Sequence, residues 1–170
     1  NLWAMTVRLN CQPSAGASLL GAHDWRFRRG KPWRRITPGL LETSTSLPVD
    51  FTALPNLKKL FIHGIGNRSA LSAVTLEDLY VYDFPDQDCS DFFHLTKLGK
   101  LQLGPARKLE TLDGLAVLDK LEHLGVYYSP KLVDFDELKR LTGLRVLDLT
   151  NCKNLGNIRF ISQLTNLREL

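Results

Sequence analysis

Between Leu109 and Leu170 the apolar residues recur at every third position, a spacing that neither an isolated helix nor an isolated strand selects. Leu109, Leu112, Leu115, Leu118, Leu121 and Leu124 close two residues later at Val126; Leu132, Phe135, Leu138, Leu141, Leu144 and Leu147 close at Leu149; Leu155, Ile158, Ile161, Leu164, Leu167 and Leu170 follow. Successive copies lie 23 residues apart, so the chain is an internal repeat. An α-helix turns about 100° per residue, and five steps of three would carry the apolar stripe nearly once round the cylinder. One amphipathic helix is therefore excluded. The closing Leu-x-Leu or Leu-x-Val alternates in and out as a short strand does. Each copy reads as a short strand followed by a return segment that keeps its apolar side chains on the same interior.

In the stretch LRVLDLTNCKNL, the residues Leu144, Leu147, Leu149, Cys152 and Leu155 match L-x-x-L-x-L-x-x-N/C, and here the chain resembles the leucine-rich repeat family. The same opening stands at Leu57/Leu60/Ile62, Leu76/Leu79/Val81, Leu98/Leu101/Leu103 and Leu121/Leu124/Val126, with starts separated by 19, 22, 23 and 23 residues. Five strands and the beginning of a sixth at Leu167 result. The ninth position departs from the family: only Cys152 is of the expected type, and Ile65, Phe84, Ala106 and Ser129 occupy the others. The backbone there must find other partners. The expected fold is an α/β-class leucine-rich-repeat solenoid, right-handed and curved, with a parallel β-sheet on its concave face and short 3₁₀ or irregular convex segments. Residues 47–170 hold the repeats. Residues 1–46 are expected to form a strand-rich amino-terminal cap or a degenerate first repeat, since a solenoid's first coil would otherwise expose its core and a sheet edge.

A chain of 170 residues, 44% hydrophobic and 24% charged, has the balance of one globular domain. No run approaches the 18 to 20 apolar residues of a membrane span, and the amino end lacks the regions of a signal peptide. A cytoplasmic protein is expected. Cys11, Cys89 and Cys152 are odd in number, far apart and without C-x-x-C spacing, which points to reduced thiols, with Cys152 packed in the interior. In the amino-terminal stretch, Met5, Val7, Leu9 and Cys11 alternate with polar residues as a half-buried strand does.

Chemistry leaves few traces. His23, His63, His94 and His123 have no metal or nucleophile spacing, and no serine sits in a G-x-S-x-G turn. The acidic stretch Asp83 to Asp91 lacks the glycine and the terminal glutamate of a calcium loop and reads as a solvated turn. No metal, no cofactor and no catalytic residue are expected.

Binding residues are read from the strands. Positions four and six of each repeat point inward, so positions three, five and seven point out on one face. At the amino-terminal end that face carries Lys59, Phe61 and His63, then Asp78, Tyr80 and Tyr82; Tyr127 stands at the seventh position further along. Exposed aromatics are favoured interface anchors, and nothing in the repeat requires them there. Lys59, Asp78 and Lys100 alternate in sign and suggest a ladder of cross-strand ion pairs. The reading is a non-catalytic module gripping another protein on its concave face, in a toxin-neutralising, effector or immune-recognition role; protein binding is what the resemblance implies, and the anchors come from their outward positions.

A different class of partner is suggested by His23 to Arg35, where six Lys or Arg against Asp24 make +5 in a chain whose net charge is +4. Arg26, Arg28, Arg29, Lys31, Arg34 and Arg35, interleaved with Trp25, Phe27 and Trp33, could grip a nucleic-acid backbone and stack on bases. The plainer reading is a cap strand with its arginines in water. At the carboxyl end, Leu167 and Leu170 begin a strand whose apolar flank needs cover, from further repeats or from a second copy.

Overall fold

In the computed structural model the described residues are 40–43, 57–64, 75–156 and 158–170. Six strands form one sheet: β1 (Leu40–Thr43), β2 (Lys59–His63), β3 (Asp78–Tyr82), β4 (Lys100–Leu103), β5 (His123–Val126) and β6 (Val146–Asp148). They pair in chain order, each parallel to the next. The register follows the repeat: Leu60, Leu79, Leu101, Leu124 and Leu147 stand level across five strands. An isolated parallel bridge between Val146 and Glu169 begins the next strand where Leu167 placed it.

The three-residue spacing has a mechanical cause in the returns. Leu121 N–H donates to the Leu118 carbonyl at 2.9 Å, Leu118 to Leu115 at 2.9 Å and Leu115 to Leu112 at 3.2 Å, so each apolar residue closes an i→i+3 turn on the one before. A turn of three residues brings every third side chain back to the same side. All of these leucines are buried. Runs of such turns become 3₁₀ helices at Ser90–Phe92, Asp136–Arg140 and Ile158–Gln163, and no α-helix occurs among the described residues. The returns after β3, β4 and β5 start polar: Asp88, Thr111 and Asp134 accept the N–H two residues ahead, from Ser90, Asp113 and Asp136.

The corner after each strand resolves the ninth-position question. Gly64, Asp83, Tyr128 and Asn151, all at position eight, have positive φ. Three of them reach the next coil's position-seven carbonyl: Gly64 donates to Tyr82 at 2.6 Å, Asp83 to Gly104 at 3.4 Å and Tyr128 to Thr150 at 3.0 Å. Pro105 fills position eight after β4, follows a cis peptide bond and has no N–H; Ala106 donates to Tyr127 at 3.0 Å instead. Position nine is then free to be apolar. Phe84, Ala106, Ser129 and Cys152 are all buried there, and the Cys152 thiol donates to the Val126 carbonyl at 3.6 Å.

Strand β1 lies within the stretch read as cap or degenerate repeat, with Leu41 level with Leu60. The sheet thus holds one strand more, ahead of β2, than the leucine pattern marks. The rest of residues 1–46, including Cys11 and the Met5–Cys11 alternation, lies outside the described residues. No helix among the described residues is long and apolar enough to cross a membrane.

Candidate protein-binding face

The strands alternate as the repeat requires. In β3, Leu79 and Val81 are buried while Asp78, Tyr80 and Tyr82 reach the open face, and in β4 Leu101 and Leu103 are buried under half-exposed Lys100 and Gln102. Parallel register sets like positions side by side, so a property carried at one position becomes a row across the sheet.

Along position five, Phe61 and Tyr80 meet with ring centroids 5.5 Å apart at a tilt of 38°. Phe61 remains 39% exposed and Tyr82 48%, so the pair forms a surface and not a buried core. Burial holds the Tyr80 hydroxyl above its ordinary pKa, with the neighbouring Tyr82 adding to the effect. The backbone of His63 stands level with Tyr82; its side chain lies outside the described residues.

Along position three the ladder has one rung. Lys59 and Asp78 pair at 2.6 Å, and Asp78, by hydrogen bond and charge, raises the Lys59 pKa. Lys100 is level with the same Asp78 on the other side but forms no ion pair among the described residues. The expected three-membered ladder is corrected on this point: one carboxylate stands between two cations and is engaged by the first. Two further cross-coil pairs run one position earlier, between Lys58 and Glu77 at 2.6 Å and between Glu122 and Arg145 at 3.4 Å, and a third joins Glu110 to Lys131 at 3.7 Å between returns.

Tyr127 does not stand up from the sheet. Its ring lies back across β4 and β5, where a Cβ on Gly104 would be 2.6 Å from the Tyr127 Cβ and one on Gly125 would be 2.6 Å from its hydroxyl. Two glycines clear the floor on which the ring rests. The hydroxyl accepts from Gln102 Nε2 at 3.1 Å and lies near the Asp148 carboxylate, which accepts the Thr150 N–H at 3.1 Å and its hydroxyl at 2.5 Å. Burial first, and then the Asp148 carboxylate, push the Tyr127 pKa up. Gln102 and Asp148 were outward residues without an assigned role; the signal for them was Gly104 and Gly125, bare outward positions beside an aromatic.

Among the described residues no three His, Cys, Asp or Glu side chains gather to hold a metal. Trp25, Phe27, Trp33 and the basic residues Arg26, Arg28, Arg29, Lys31, Arg34 and Arg35 lie outside the described residues.

No family model matches the chain, and no curated protein matches it. Among solved structures it is similar to an internalin (inlF) from Listeria monocytogenes, at 21% identity and a TM-score of 0.46, over 77% of this chain and 46% of that one. Internalin C2 from the same species is similar at 18% identity and a TM-score of 0.46, over 78% of this chain and 70% of its own. The chain spans about half the length of the first. Its own coil register, with parallel strands in chain order over a leucine core, makes it a leucine-rich-repeat solenoid.

Proposed function

We propose that the chain is a non-catalytic scaffold that binds another protein on the open face of its sheet, with Phe61, Tyr80 and Tyr82 as anchors. One observation carries the reading: the Phe61–Tyr80 ring pair keeps Phe61 39% exposed on β2, where the neighbouring Leu60 and Ile62 are buried. Such rings bury large area with little loss of side-chain freedom. Lys59 and Asp78 set register at the margin, and Tyr127 contributes a flat ring held by its hydrogen bond from Gln102. A toxin-neutralising, effector or immune-recognition role would each use this face.

Pull-down with mass spectrometry is the test, comparing the native chain with the Tyr80→Ala/Tyr82→Ala double variant. Partners held by the native chain and lost by the folded variant support the reading; a partner retained at equal affinity overturns it. Free, buried Cys89 and Cys152 support a reducing compartment such as the cytoplasm.

A second contact has its own observation. In the last coil Ile158, which the 23-residue spacing aligns with buried Phe135, is 56% exposed, because Phe160 takes the buried place and stacks on Phe135 at 5.5 Å. We read this flank as apolar enough to associate with a second copy. Light scattering that finds only monomer across a wide concentration range would remove that reading.

A further inference from the structure

We propose that Lys100 is the docking point for a carboxylate, so that the partner presents an acidic side chain beside an aromatic or aliphatic one. The inference rests on the open face being the binding surface.

The charges on that face carry the argument. Asp78 is engaged by Lys59 at 2.6 Å, and Asp148 already accepts from the Thr150 N–H and hydroxyl. Lys100, half-exposed in the middle of the sheet, has no ion pair among the described residues. Position three therefore reads Lys59, Asp78, Lys100, His123 and Val146 across five strands, with one more cation than anion. A partner carboxylate would give Lys100 a charge-assisted hydrogen bond, while a partner cation at the same place would be repelled. The surroundings disfavour a polyanion: the residues level with Lys100 are Asp78 on one side and His123 on the other, and a nucleic-acid backbone needs several cations in a row.

Geometry sets the spacing. Lys100 and Phe61 are two strands and two residues apart, which at about 4.8 Å per strand and 3.3 Å per residue is roughly 12 Å. An extended segment covers that distance in about three to four residues. The expected recognition element is an Asp or Glu three or four residues from a Phe, Tyr, Leu or Ile, lying across the strands.

A displayed library of random peptides of about 12 residues, long enough to cross several strands, is selected against the whole chain. Selected peptides should carry that acid-to-apolar spacing. Their affinity should fall about tenfold on Lys100→Gln and further on Lys100→Glu, and changing the peptide acid to Lys should restore at least part of the loss on Lys100→Glu. Circular dichroism and melting of both variants confirm that the fold is kept.

Binding that survives both Lys100 variants but is lost on Phe61→Ala overturns the carboxylate while sparing the open-face reading. Binding unaffected by Lys100 and Phe61 changes alike overturns both. A library that yields no peptide sensitive to Lys100, or none at all, also overturns the inference.

Discussion

Gly114 illustrates how a single position decides stability here. Its φ is +101°, and an added Cβ would lie 2.6 Å from both the Cys89 carbonyl oxygen and the Ser90 Cα. Both obstacles are backbone, in a place where the Cys89 N–H donates to the Asp113 carbonyl at 2.9 Å. Gly114→Ala is expected to cost about 2–4 kcal/mol, read as a lower urea midpoint. Gly64 is the contrast, since its φ is +66° but nothing lies within 4 Å of an added Cβ. Asn151 and Asp83 already occupy the equivalent corner, so Gly64→Asn should change stability by less than about 1 kcal/mol. Gly125→Ala acts on the binding face instead. The new methyl would occupy the place of the Tyr127 hydroxyl, so the ring must lift and release Gln102, at about 1–2 kcal/mol and with a changed near-ultraviolet Tyr signal.

At the scale of the elements, the returns are tied together by polar starts. Asp134 accepts the Asp136 N–H at 2.8 Å, and Asp134→Ala should cost about 1 kcal/mol by freeing that turn. The strands and the three-residue turns were legible because one physical period controls both the leucines and their hydrogen bonds. The polar starts Asp88, Thr111 and Asp134 also recur every 23 residues, but Asp and Thr are common in any solvated turn and carry no period of their own. Strand β1 was hidden because its register places the polar Thr43 level with Ile62, where the later repeats carry an apolar residue. Within the face, Phe61 and Tyr80 followed from alternation alone. The resting place of Tyr127 did not, because its direction is set by side chains that Gly104 and Gly125 lack. Nor did the single rung of the ladder: register says which charges are neighbours, not which neighbour a shared carboxylate engages.

At the scale of the whole molecule, the pKa shifts resolved among the described residues share one direction. Lys59, Tyr80, Cys89, Tyr127 and Cys152 are all raised, Lys59 by its bond to Asp78 and the others first by burial, with nearby carboxylates adding to it at Cys89, Tyr127 and Cys152. A group with a raised folded pKa stabilises fully below its unfolded value and loses that contribution as pH rises through the folded value. Stability should therefore fall on the alkaline side, beginning above about pH 8.5, where unfolded thiols start to ionise. Cys89→Ala should reduce the slope, and urea titrations at pH 7 and pH 10 measure it. Stacked coils bury one continuous core, and that rigidity is what holds the rings of the open face in place. The central claim is that this face, and not the returns, meets the partner. A photo-crosslinking amino acid placed at Tyr82, or at exposed Val133 on a return, tests it in cells that carry the protein. The account predicts a covalent adduct with another protein from position 82, lost when Tyr80→Ala is added, and none from position 133; an adduct from position 133 with none from position 82 would contradict it.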